Sequence, residues 1–214
     1  ISLAGRMRLM PGPSPAVVIC HPHPLFGGSM DNNVVYALEA RIAARGVSTL
    51  CFNFRGVGES GGKYDEMRGE VDDVIAALTC LAKRPEVDAH RIGLAGYSFG
   101  GLMALYAASA LIALPADSIR AKALALISPM SPGVPWEKDK RLAGLFRDPP
   151  PCLLAAGTQD QFCPVKSAQA LASEIGMNVR LVIAEGMDHF WGGAEDQAAL
   201  PAADFFVPDV LVTS

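Results

Sequence analysis

Three polar residues of this chain have the types and the order that nucleophilic catalysis requires: Ser98, Asp160 and His189. A serine hydroxyl is a weak nucleophile at neutral pH and needs a neighbouring base. Histidine can take the serine proton, and a carboxylate can hold the imidazole in the correct tautomer. We therefore predict that Ser98 is the nucleophile, that His189 is the acid–base group, and that Asp160 orients His189.

The predicted nucleophile lies in a G-x-S-x-G sequence, Gly96-Tyr97-Ser98-Phe99-Gly100. The apolar run Ile92–Ala95 precedes it, and small residues at helical spacing follow it to about residue 111. A strand–turn–helix context makes such a serine protrude from a strained turn, with glycines where backbones approach closely. The alternative is an ordinary tight turn, because an isolated G-x-S-x-G also occurs by chance.

The other candidate groups each have a simpler reading. Asp160 could be a helix N-cap or a turn residue, and His189 could be a loop histidine. Asp188 is disfavoured as the triad acid because it directly adjoins the predicted base. His90 precedes the nucleophile strand, which places it at the opposite edge of the sheet. His21 and His23 belong to a loop rich in proline and glycine and are expected to shape that loop. No third ligand stands near them, so we predict neither a metal nor a cofactor.

An oxyanion that forms during acyl transfer needs two backbone donors. One is expected to be the N–H of Phe99, directly after the nucleophile, and the other should come from the loop after the first buried strand. Pro22 and Pro24 have no N–H, which leaves three candidate donors in that loop: His23, Leu25 and Phe26. We predict Leu25.

The elements that must position these residues alternate between strand and helix. Continuous apolar runs, typical of buried parallel strands, are each followed by a helical pattern, after a first edge strand at Arg6–Met10. The runs are Ala16–Cys20, Val47–Phe52, Ile92–Ala95, Ala123–Ile127, Cys152–Ala156 and Val179–Ala184. This order predicts a doubly wound, mostly parallel sheet of about seven strands, with helices on both faces, in a single domain over residues 1–214. Active groups in such sheets gather beyond the carboxyl ends of the strands.

Composition and charge bear on the classes of binding partner and on the cellular location. The net charge is −4 and there is no basic cluster, so we expect neither nucleic acid nor an anionic membrane as a partner. No apolar run is long enough to span a bilayer, and no secretion signal is visible. The five cysteines are scattered and odd in number, which favours reduced thiols over a disulfide framework and predicts a cytoplasmic protein. The oligomeric state stays open.

Several pieces together resemble the α/β-hydrolase superfamily, and in particular its small, cap-less dienelactone-hydrolase-like branch. They are the loop from His21 to Asn32, the loop from Asn53 to Ser60, the turn around Ser98, Gly157-Thr158-Gln159-Asp160, and Asp188-His189-Phe190. The resemblance implies a serine hydrolase with a Ser98–Asp160–His189 triad and supports Leu25 as an oxyanion donor. Dienelactone hydrolases carry cysteine where this chain has Ser98, which favours ordinary ester cleavage.

Residues 128–151, where this superfamily often inserts a cap, are too few for a cap domain and contain six prolines. We expect a mostly irregular stretch that supplies at most a helical turn or a flap, and an open site that accepts small-molecule, short-chain esters. The predicted pocket walls are Phe26, Tyr97, Met130, Phe162, Phe190 and Trp191. Arg55 is the best candidate to bind a substrate carboxylate, unless it forms a structural ion pair. A thioesterase or peptidase would use the same triad, and a non-catalytic binding protein is the alternative from another class.

Overall fold

The computed structural model describes residues 1–115 and 118–206, and these contain one seven-stranded sheet in the order β1-β3-β2-β4-β5-β6-β7. Only β1 is antiparallel, paired with β3 at one edge. The other neighbours are parallel. The strands are β1 Gly5–Arg8, β2 Ser14–Cys20, β3 Ser48–Phe52, β4 Val87–Tyr97, β5 Leu124–Ile127, β6 Cys152–Gly157 and β7 Val179–Ala184. The predicted fold class is confirmed.

Helices cover both faces of this sheet. They are α1 Asn33–Ala43, α2 Gly69–Ala82, α3 Phe99–Ile112, α4 Ala143–Arg147, α5 Val165–Ile175 and α6 Asp196–Phe205. The apolar side chains of α1 and α6 join the core on one face, and those of α2 to α5 join the core on the other. A strand between two such layers is buried on both sides, which explains why the predicted strands are continuous apolar runs.

The central elements follow directly from their sequences. Every residue of β2 is buried, and its side chains alternate between the two cores, with Val18 in one and Val17 and Ile19 in the other. Helix α3 is apolar nearly all round, and it is buried at almost every position, as its composition predicts. Helix α1 begins at an Asn32 N-cap, whose side chain accepts from the Val34 N–H.

The stretch between β5 and β6 is more regular and more buried than the sequence predicts. It forms two short 3₁₀ turns, at residues 136–138 and 140–142, and then α4. Trp136, Leu142 and Leu145 are buried in the core on the α3 side of the sheet. The Trp136 indole N–H donates to the Ser167 carbonyl at 3.1 Å, which ties the stretch to α5. These three side chains therefore belong to the core and do not form a flap over the site.

Candidate active site

The sheet topology brings the three predicted catalytic residues to one edge. Ser98 follows β4, Asp160 lies three residues beyond β6, and His189 lies in the loop after β7. In the sheet these three strands and β5 lie side by side, in the order β4-β5-β6-β7. Since they are parallel, their carboxyl ends open on the same side, and residues far apart in sequence become neighbours.

Ser98 occupies a strained turn between β4 and α3. Its backbone has φ 55° and ψ −119°, a conformation that residues with a side chain rarely adopt. A Cβ at Gly96 would overlap the backbone of Gly100, and a Cβ at Gly100 would overlap the carbonyl of Cys20 at the end of β2. The two glycines thus allow the close packing of strand and helix that presents the Ser98 hydroxyl.

A continuous chain of hydrogen bonds joins the three side chains. His189 Nε2 lies 2.9 Å from Ser98 Oγ. His189 Nδ1 lies 2.9 Å from Asp160 Oδ1 and 3.0 Å from Oδ2. All three residues are buried, so these contacts form in a largely dry environment. The arrangement leaves Nε2 free to accept the serine proton, because the carboxylate requires the hydrogen on Nδ1.

The Asp160 carboxylate is held in its charged form by the groups around it. Burial alone would raise the pKa of Asp160, but donors outweigh it and hold the pKa below the ordinary value. The donors that form hydrogen bonds with it in the structure include His189 and the Cys163 N–H. The backbone N–H groups of Phe162 and Cys163 donate to Oδ1 at 2.9 and 2.8 Å. Asp160 therefore also organises its own turn, whereas the residue at the N-cap of α5 is Pro164.

The loop that carries His189 is fixed by its neighbours. The Tyr97 hydroxyl donates to the His189 carbonyl at 2.8 Å. The Asp188 side chain accepts from the N–H groups of Phe190 and Trp191 at 2.9 and 3.2 Å and thus closes the turn. Asp188 is exposed, whereas Asp160 meets the imidazole, so the roles of the two acids are separate.

The Leu25 N–H, predicted as an oxyanion donor, is engaged within its own loop, and His23 is the other candidate donor there that stays open. The Leu25 N–H donates to the His23 ring at Nδ1, 3.2 Å away, and the Leu25 side chain points largely into solvent. The Phe26 N–H is also engaged, with the His23 carbonyl at 3.1 Å. Among the hydrogen bonds of residues 1–115 and 118–206, none is donated by the His23 N–H. Phe99 is the first residue of α3, where an N–H has no partner within the helix.

His21 anchors this loop from below. It is fully buried, its Nδ1 donates to the Pro22 carbonyl at 2.6 Å, and its Nε2 accepts from the Phe54 N–H at 3.0 Å. Burial lowers the pKa of His21 to about 4, so the imidazole is neutral near pH 7. His21 thus joins the loops after β2 and β3, which agrees with the expected shaping role.

A cavity of about 400 Å³ opens beside Ser98 and His189. Five of the six predicted wall residues line it: Phe26, Tyr97, Met130, Phe162 and Phe190. Trp191 does not, and that prediction is wrong. Its backbone has φ 55°, and its side chain is completely buried in the core on the α1 and α6 side of the sheet. The lining also includes Asn32 and His23, which the sequence reading did not assign to the pocket.

The remaining candidates are outside the site. Arg55 forms an ion pair with buried Asp73 at 2.8 Å and does not line the cavity, so its structural reading is correct. Cys163 is buried, and burial raises the pKa of its thiol to about 12. Within the described ranges, no group of three His, Cys, Asp or Glu side chains is arranged to hold a metal ion. No helix in that part of the chain is both long and apolar enough to cross a membrane.

Sequence reasoning missed one polar residue at this edge, Ser128. It directly follows β5, and its hydroxyl accepts from the Trp191 indole N–H at 3.0 Å. A polar residue at the carboxyl end of a buried strand was the available signal, since Ser98 and Asp160 were found in the same way.

Comparison with solved structures gives the same architecture. An α/β serine hydrolase homologue from Coxiella burnetii is 30% identical, with a TM-score of 0.75 over 97% of this chain and 91% of that chain. An α/β serine hydrolase without a lid, from Xanthomonas campestris, is 25% identical, with a TM-score of 0.79 over 99% of this chain and 91% of that chain. Both matches cover nearly the whole of this chain.

Comparison with curated proteins gives shorter or more distant matches. An uncharacterised protein of Rickettsia prowazekii, RP471, is 40% identical over 105 residues, and one of Mycobacterium tuberculosis, Rv2307c, is 28% identical over 188 residues. The matches cover 48% and 83% of this chain, and the chain spans 43% and 64% of those proteins. The family model of the α/β-hydrolase fold matches residues 15–146, which is more than half of the chain. The protein therefore belongs to the α/β-hydrolase superfamily, with no cap domain among residues 1–115 and 118–206 and with a serine in the G-x-S-x-G turn.

Proposed function

We propose that this protein is a serine hydrolase that cleaves small or short-chain, uncharged carboxylic esters through an acyl-enzyme on Ser98. The observation that carries the proposal is the hydrogen-bonded chain from Ser98 through His189 to Asp160, with the two bonds of the imidazole at 2.9 Å. A nucleophile, its base and an orienting acid in contact are the parts that acyl transfer needs. A protein that only bound ligands would have no use for this arrangement.

The reaction follows from the positions of these groups. Ser98 Oγ attacks the ester carbonyl while His189 Nε2 takes the hydroxyl proton. The N–H groups of His23 and Phe99 stabilise the oxyanion of the tetrahedral intermediate. His189 then returns the proton to the departing alcohol, which leaves the acyl group on Ser98. A water molecule, deprotonated by His189, attacks this ester and regenerates the free serine.

The cavity supports the proposed substrate class. At about 400 Å³ it lies at the small end of ligand pockets. Its walls are mainly aromatic and aliphatic, and among its lining residues in the described chain there is no Lys, Arg, Asp or Glu. A substrate carboxylate would lose its hydration there without gaining a partner. This disfavours a charged dienelactone and agrees with serine rather than cysteine at residue 98.

Thioester cleavage is the second candidate, because the same groups would perform it. One observation favours it: a protein of Aspergillus aculeatus named thiohydrolase aneE is 31% identical over 112 residues. The match covers half of this chain and about a third of that protein, 34%. We also propose that the protein works in the cytoplasm, since its cysteines are free thiols and four of the five are buried.

The decisive experiment is a turnover assay on p-nitrophenyl esters with acyl chains from two to twelve carbons, together with thioesters of matching chain length. We expect the highest kcat/KM at two to six carbons, and loss of turnover in Ser98→Ala. A fluorophosphonate probe should label the wild type and not Ser98→Ala. Absence of both turnover and labelling in the folded wild type would contradict the hydrolase assignment. Preference for thioesters at equal chain length would select the second candidate.

A further inference from the structure

Asn32 is a polar residue of the cavity that the proposed reaction does not use. It lines the cavity beside Ser98 and His189, and it is half-buried. The loop after β2 ends at this residue, and α1 begins at the next one. Its backbone N–H donates to the Ser29 carbonyl at 3.1 Å, and its carbonyl accepts from the Tyr36 N–H at 3.0 Å. The backbone of Asn32 is therefore held in place on both sides.

The N-cap of α1 determines which way round the Asn32 amide lies. Its Oδ1 accepts from the Val34 N–H at 3.0 Å. A backbone N–H can only donate, so the side-chain atom that meets it must be the oxygen and not the nitrogen. Among the hydrogen bonds of residues 1–115 and 118–206, none is made by Asn32 Nδ2. This nitrogen is also not one of the buried polar atoms that lack a partner, so its two hydrogens are accessible to a ligand.

The other polar side chains of the cavity are engaged within the protein. The Tyr97 hydroxyl donates to a backbone carbonyl in the loop of the base at 2.8 Å. The His23 ring accepts from the Leu25 N–H at 3.2 Å with Nδ1, and its Nε2 lies 3.5 Å from the Tyr64 hydroxyl. The remaining two belong to the triad. An apolar pocket orients its ligand through a few polar groups, and the Asn32 amide is such a group.

We propose that Asn32 is a specificity-determining residue, whose Nδ2 donates a hydrogen bond to a second, uncharged oxygen of the ester substrate. This inference rests on the proposed function, since it names the substrate class of that same site. The oxygen belongs to an ether, a hydroxyl or a ketone in the acyl group or in the alcohol. A neutral amide does not compensate an anion, and the lining residues of the described chain include neither Lys nor Arg, so the second oxygen carries no charge.

The accessibility of Nδ2 sets the size of the expected preference. In the free enzyme this donor can bond to water, so the substrate oxygen replaces one partner by another. The net gain is that of an ordinary hydrogen bond between neutral groups, about three- to tenfold in kcat/KM. A fully buried donor left without a partner would discriminate far more strongly.

The test compares esters that differ by one group. p-Nitrophenyl methoxyacetate has an ether oxygen where p-nitrophenyl butyrate has a methylene in the acyl chain, and 2-methoxyethyl butyrate differs from butyl butyrate in the same way in its alcohol. Asn32→Asp replaces the NH₂ group by an oxygen and keeps an equivalent N-cap acceptor. We expect it to lower the kcat/KM ratio of ether to hydrocarbon ester about three- to tenfold in at least one pair. The pair that responds shows whether the second oxygen lies in the acyl group or in the alcohol.

Asn33→Asp is the matched control, because it adds the same charge at the next residue, which does not line the cavity. The Asn33 side chain donates to Glu195 at 2.7 Å, and the loss of this bond acts on both esters of a pair alike. The ratio should therefore stay within about twofold of the wild type. A ratio unchanged by Asn32→Asp in both pairs, or lowered equally by Asn33→Asp, would overturn the inference. Failure of the proposed function looks different, since the wild type would then hydrolyse neither ester of a pair.

Discussion

The backbone N–H of Leu25 donates to Nδ1 of His23, two residues earlier, at 3.2 Å. This bond caps the 3₁₀ turn Pro24–Phe26, and it engages the Leu25 N–H. The His23 ring packs against Phe99 and Tyr64, with centroids 4.7 and 5.2 Å away. The side chain of His23 thus holds the loop whose backbone we propose to supply one of the two oxyanion donors.

The cap predicts a difference between two substitutions of His23. Asparagine can replace Nδ1 with a side-chain oxygen as the acceptor for the Leu25 N–H, whereas leucine cannot. His23→Leu should lower kcat about fivefold, the equivalent of a lost cap of about 1 kcal/mol. His23→Asn should stay within about twofold of the wild type, given that equivalent acceptor. Steady-state kinetics on one short-chain ester measures kcat for both variants. Equal losses of kcat would show that the bond from the Leu25 N–H to the His23 side chain does not affect catalysis.

Asp160→Asn should reduce kcat by about 10⁴-fold, because an amide favours the wrong imidazole tautomer. Its remaining oxygen can still accept from the Phe162 and Cys163 N–H groups, so the fold should persist. Asp188→Asn is the matched control at an exposed acid next to the base and should change kcat less than about threefold. Comparable losses of kcat from the two substitutions would show that Asp160 is not the triad acid.

Gly100→Ala should destabilise the protein by about 2–3 kcal/mol, because the added methyl group overlaps the Cys20 carbonyl and lies 2.6 Å from that of His21. Gly192→Ala is the control, since a Cβ there has no neighbour within 4 Å. It should change the free energy of unfolding by less than about 0.5 kcal/mol. Urea unfolding at pH 7 measures both changes. A Gly100→Ala protein of wild-type stability would contradict the close contact between β2 and α3.

His21 should make stability depend on pH. Its pKa is about 4 in the folded protein, lowered mainly by burial, against an unfolded value of 6.5. Between these values the unfolded chain binds a proton that the folded chain does not, so acidification favours unfolding. This group should contribute stability in full above pH 6.5 and lose about 3 kcal/mol of it as the pH falls to 4.

The measurement is urea unfolding at several pH values from 7 to 4. His21→Gln should be less stable than the wild type at pH 7 and show a shallower loss on acidification, because glutamine does not titrate. His90→Gln, at an exposed histidine, serves as the control and should keep the wild-type slope. A His21→Gln slope equal to that of the wild type would mean that His21 does not carry this dependence.

The order of the strands along the chain and the three residues of the candidate triad could be predicted from the sequence alone. The strands could be read from apolar runs, because a strand buried on both faces must be apolar throughout. Ser98, Asp160 and His189 could be read from their places after strands, because parallel strands deliver their carboxyl ends to one edge. The strained turn at Ser98 was likewise predicted from the G-x-S-x-G sequence, and the φ of 55° at Ser98 agrees with it.

Which loop groups face the site and which face the core could be seen only in the tertiary structure. No periodic pattern governs an irregular loop, so the sequence could not show that the His23 ring takes the Leu25 N–H. The adjacent aromatic residues Phe190 and Trp191 likewise have different surroundings. Phe190 lines the cavity, whereas Trp191, with a backbone φ of 55°, is buried in the core. The Ser128 hydroxyl accepts from the indole N–H of Trp191, which is 63 residues away in sequence, and only the packing of the two loops places them in contact.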